Sequence, residues 1–85
     1  MGIKTYSIEE TKKLLKEKGF EVKGADGVIY IPSKLLLAKE FGMFNITVSE
    51  DGESKGIYSG FSEDDACRNV LHYLKVKTIR NKVKK

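Results

Sequence analysis

The sequence predicts a small α+β domain in which two antiparallel β-hairpins form a sheet and an N-terminal and a C-terminal helix pack on one face. Three observations predict it. Ser7 and Glu10 have the spacing of a capping box ahead of apolar residues at helical intervals. Residues 20–31 and 44–60 each hold two alternating or β-branched runs separated by turn formers. Ser62 heads a second helical pattern whose first turn carries Glu63, Asp64 and Asp65, where a helix N-terminus favours negative charge.

In chain order, the first helix is expected over 8–18. Ile8, Thr11, Leu14 and Leu15 share one side, and Gly19 supplies the left-handed residue that ends it, with Phe20 placed to touch Leu15. Phe20 to Lys23 alternates apolar and polar, Gly24-Ala25-Asp26-Gly27 makes a turn, and Val28 to Ile31 returns as a strand. Pro32 ends that strand because it has no N–H for a ladder. Ser33 then caps a short helix, Lys34 to Glu40, stopped by Gly42, although Leu35-Leu36-Leu37 equally fits a buried strand. Phe44 to Val48 and Gly56 to Gly60 form the second hairpin around the turn Glu50 to Ser54. In the last helix Ala66, Val70, Leu71 and Leu74 form the apolar side, with Cys67 near it. Val76, Ile79 and Val83 point about opposite to Val70 and Leu74, so one continuous helix cannot bury both stripes. Residues 1–75 are therefore expected as one domain, and 76–85 as a basic tail or helix extension.

At 85 residues the chain has material for one core. The longest apolar run, Leu35 to Ala38, is far short of the roughly 18 residues a membrane span needs, so no membrane partner is expected. The absence of a hydrophobic leader and the single Cys67 point to a reducing, cytoplasmic setting. The net charge of +4 hides an asymmetry: residues 1–49 sum to +2, residues 50–65 to −5 and residues 68–85 to +7. A tail of one sign suggests an anionic partner.

Catalytic chemistry has few candidates. Cys67 and His72 are separated by roughly 140° on a helix and do not form a nucleophile pair. One histidine without adjacent carboxylates is a poor metal site, and Glu50, Asp51 and Glu53 lack the spacing of a calcium loop. Neither glycine-rich stretch matches a phosphate loop. No enzyme activity, cofactor or metal is expected.

Binding remains. If Ile46, Val48, Ile57 and Phe61 face the core, alternation turns Thr47 and Tyr58 outward, and an aromatic flanked by cations suits base stacking beside phosphate contacts. The expected DNA or RNA contacts are Lys55, Tyr58, Arg68, Lys75, Lys77, Arg80 and Lys82. The alternative is an inhibitor or adaptor, of viral or mobile-element type, that docks on a protein partner or forms a homodimer through Val76, Ile79 and Val83. The stretch Ile46 to Leu74, with its Gly60-Phe61-Ser62-Glu63 corner, loosely resembles the hairpin-plus-helix ending of small three-stranded DNA-binding modules of plant transcription factors and phage integrases. That resemblance implies Lys55 and Tyr58 at a DNA interface, beside the acidic turn Glu50-Asp51-Gly52-Glu53.

Overall fold

The computed structural model describes residues 5–76, in the order α1 (Ile8–Glu17), β1 (Ile29–Ile31), β2 (Leu35–Glu40), β3 (Met43–Glu50), β4 (Glu53–Gly60) and α2 (Glu63–Tyr73). The α+β class holds: two helices flank a four-stranded antiparallel sheet of order β1-β2-β3-β4.

Both ends of α1 follow from local chemistry. Ser7 Oγ accepts from the Glu10 N–H at 3.1 Å, and the Glu10 carboxylate accepts from the Ser7 N–H at 3.3 Å. At the other end the Phe20 N–H reaches the Leu15 carbonyl and the Gly19 N–H the Lys16 carbonyl, both at 3.0 Å, with Gly19 left-handed at φ 97°. This paired closure lets Phe20 pack against the core.

Two expectations are corrected here. Residues 20–23 do not form a full strand: they meet β1 at one bridge, Lys23 to Tyr30, whose two backbone hydrogen bonds measure 2.8 and 2.9 Å. The helix closure takes up Phe20, and Gly24 sits at φ 111°, where an added Cβ would press on Val28 at 3.0 Å. Of the two alternatives open for residues 35–40, the strand forms and the short helix does not. Leu35 and Leu37 are buried while Leu36 between them is 39% exposed, a period of two. Ser33 caps nothing. It is left-handed at φ 63° in the turn Ile31 to Lys34, closed by a 3.0 Å bond from the Lys34 N–H to the Ile31 carbonyl.

The remaining turns are two-residue hairpin loops with both residues left-handed, Phe41-Gly42 (φ 52° and 80°) and Asp51-Gly52 (φ 52° and 80°). β3 pairs with β4 from Phe44–Gly60 to Glu50–Glu53, but Ile46 faces Tyr58 while Thr47 faces Gly56, leaving Ile57 as an extra bulged residue.

Burial alternates across the sheet. Ile29, Ile31, Leu35, Leu37, Phe44, Ile46 and Val48 join Ile8, Leu15, Ala66, Cys67, Val70 and Leu71 in one cluster. α1 packs on α2, and α2 on β3 and β4. Ser62 caps α2 through the Asp65 N–H at 3.1 Å. The helix closes as α1 does, with the Val76 N–H on the Leu71 carbonyl at 2.9 Å and the Lys75 N–H on the His72 carbonyl at 3.0 Å. Here the left-handed position is Lys75, at φ 60°, and Val76 enters the core at 8% exposure.

Candidate functional site

The residues expected to meet nucleic acid do not assemble into one cationic surface among the described residues. Lys55 lies opposite buried Val48 and points its ammonium at the Glu50 carboxylate, 3.8 Å away. Glu50 also accepts from the Tyr73 hydroxyl at 2.8 Å, a bond that raises the phenol's pKa by favouring its neutral form. Arg68 pairs with Asp64 at 2.6 Å within α2. Lys75 is exposed. Lys77, Arg80 and Lys82 lie outside the described residues, as do Ile79 and Val83.

Tyr58 turns the other way from expectation. The bulge at Ile57 shifts the alternation of β4, so Tyr58 stands opposite buried Ile46 and packs against the core. Its ring lies over Gly60, where a Cβ would come within 2.5 Å of the hydroxyl. Phe61, expected inside, is 76% exposed. Val76 fails as a partner contact because it is a core residue, drawn in by the closure of α2. With Lys55 and Tyr58 both on the helix-facing side of the sheet, the geometry differs from what the resemblance to DNA-binding modules implies.

The acids of α2 have a second duty. Glu63 accepts from the Ile8 N–H at 2.7 Å and Asp64 from the Tyr6 N–H at 2.8 Å, so the start of one helix satisfies the start of the other. Cys67 is buried beside Thr11, which is itself buried and donates to the Ser7 carbonyl at 2.8 Å. Burial pushes the thiol up to about 11, so Cys67 remains protonated at neutral pH and is a poor nucleophile. Among the described residues no group of three or more His, Cys, Asp or Glu is placed to hold a metal ion, and no helix is long and apolar enough to cross a membrane.

Two surfaces stand out that sequence reasoning missed. One is the sheet end formed by the Phe41-Gly42 turn. Glu40 pairs with Met43 and Phe44 with Gly60, so Phe61 emerges at the same end as Phe41, which is 99% exposed. The other is the sheet face opposite the core. Its central row runs in register through Lys23, Tyr30, Leu36, Thr47 and Gly56, with Tyr30 41% exposed. A neighbouring row holds Ala38, Asn45 and Ser59, the serine donating to Asn45 Oδ1 at 2.9 Å.

No protein-family model matches the sequence, and comparison with curated proteins and with solved structures found no match.

The buried thiol makes a pH prediction. Its value in the folded protein lies above the ordinary 9.0, so above pH 9 the unfolded chain loses this proton first and stability falls between about pH 9 and 11. Urea unfolding at pH 8 and at pH 10.5 should show a larger loss for the wild type than for Cys67→Ala; equal losses would contradict the burial of the thiol.

Proposed function

We propose that this chain is a small non-catalytic docking module for a protein partner, an adaptor or inhibitor, with Phe41 and Phe61 as its anchors. One observation supports this reading above the rest: two phenylalanines stand in solvent at one end of the sheet, 99% and 76% exposed, while no other large apolar side chain among the described residues is more than 41% exposed. Aromatic side chains bury much area for little lost rotamer freedom, which is why they dominate interface energetics. The backbone at Phe41 strengthens the argument. A left-handed φ of 52° in a two-residue turn favours Asn or Gly, and a bulky residue there costs stability without any compensating contact inside the fold. A benefit in binding offsets that cost.

The separation of charge favours a second reading, nucleic-acid binding through the C-terminal cations. Residues 5–76 hold ten Lys and Arg against twelve Asp and Glu, net −2, so the overall +4 comes entirely from Lys4 and the five cations of 77–85. On this reading the folded body contributes little attraction and the C-terminal segment most of it.

Phe41→Asn should raise the unfolding free energy by about 1 kcal/mol, because Asn tolerates the left-handed turn. The double variant with Phe61→Ser should stay folded yet lose proteins that co-purify with the wild type from its native cells; identical proteins recovered with both would refute the docking role. For the second reading, fluorescence anisotropy with labelled DNA and RNA should give an affinity that falls steeply with salt and is largely abolished by removing residues 77–85, leaving Val76 to close the core. Full binding by the truncated chain would refute it.

A further inference from the structure

We infer that the sheet face opposite the core is a platform for single-stranded nucleic acid, with Tyr30 as the stacking residue and Lys23 and Lys34 as phosphate contacts. The inference rests on the second reading above, that the chain binds nucleic acid, and assigns to it a site on the folded body. The chemistry sought in the sequence at Tyr58, an outward aromatic flanked by cations, is present at Tyr30 instead. Tyr30 stands on the face opposite the core, 41% exposed, directly opposite Leu36, which is 39% exposed. Lys23 is its partner across the isolated bridge, so the ammonium stem starts about 5 Å from the ring. Lys34 is exposed two residues before Leu36, and its carbonyl accepts from the Ser49 N–H at 2.9 Å, which carries the ladder on to that point.

The shape of this face selects the strand. A duplex hides its base faces, and its major groove admits a helix or a two-stranded ribbon, not the breadth of four strands. A single strand can lay a base flat on Tyr30 and Leu36 while its backbone runs past the lysines. Thr47 continues the row of Tyr30 and Leu36, where its hydroxyl can meet a base edge, while Asn45 and Ser59 in the neighbouring row are bonded to each other at 2.9 Å. The carboxylates near this face are few. Glu21 holds Lys23 at 3.3 Å, with both side chains more than half exposed, and such an exposed pair yields readily to a phosphate. Glu40 ends β2 at the far edge, beside the Phe41 turn.

Anisotropy titrations at low salt with labelled oligothymidylate and oligouridylate of about twelve nucleotides, and with a duplex of matching length, test this. The full chain should bind the single strands at least about tenfold tighter than the duplex. Tyr30→Thr, which keeps a good strand former in place, should lower single-strand affinity about tenfold, while Tyr30→Phe keeps it. Lys23→Gln with Lys34→Gln should weaken binding and flatten its salt dependence. Equal binding of single strand and duplex, or no effect of Tyr30→Thr, would overturn the platform while leaving nucleic-acid binding by the C-terminal segment standing. No binding of any probe at low salt would overturn both.

Discussion

Two carboxylates hold this fold in register. Glu63 and Asp64, in the first turn of α2, accept backbone N–H groups from Ile8 and Tyr6 across sequence separations of 55 and 58 residues. The first N–H groups of any helix lack partners within it, and here one helix start supplies them to the other. The two positive helix ends face the acids between them, and Arg68 closes on Asp64 from the next turn. Because α1 packs on α2 and α2 on the two last strands, this junction fixes where the apolar side of α1 can go. Ile8 and Leu15 thereby join the same cluster as the sheet's buried positions.

The junction also decides how the molecule's charge is spent. Acids that look like a repulsive patch in the sequence serve as caps, and the cations Arg68 and Lys55 answer Asp64 and Glu50. What remains outside is divided by position. Phe41 and Phe61 occupy one end of the sheet, Tyr30 and Leu36 the centre of the face opposite the core, and Lys75 is exposed just after α2.

Local signals carried much of this into the sequence. Ser7 with Glu10, Gly19 before Phe20, Asp51-Gly52 and Ser62 each satisfy their own backbone within a few residues, so the helices and the second hairpin are legible from short windows. The errors arose where the deciding partner is distant or the local residue is atypical. Leu35-Leu36-Leu37 has no periodicity of its own, and pairing with β1 and β3 makes it a strand. The bulge at Ile57 reverses the side on which Tyr58 stands, and no residue there announces it. Lys75 occupies a left-handed closing position that usually goes to glycine, which hid the turn that brings Val76 into the core. Phe41 in a turn that favours asparagine likewise gave no turn signal, and it is the most exposed large apolar side chain among the described residues. The Arg68–Asp64 pair has the i,i+4 spacing of one helix and was open to the sequence, whereas the pairing of Lys55 with Glu50 depends on the register of the β3–β4 hairpin.

Native-state amide hydrogen exchange at Tyr6 and Ile8 tests the central junction most directly. A helix start held only by its own cap frays, and its first amides exchange almost as fast as those of an open chain. If Glu63 and Asp64 clamp the two helices, both amides exchange slowly, near the rate set by global unfolding, and Glu63→Gln with Asp64→Asn releases them selectively. Fast exchange at both positions in the wild type would contradict the clamp and the arrangement of surfaces that follows from it.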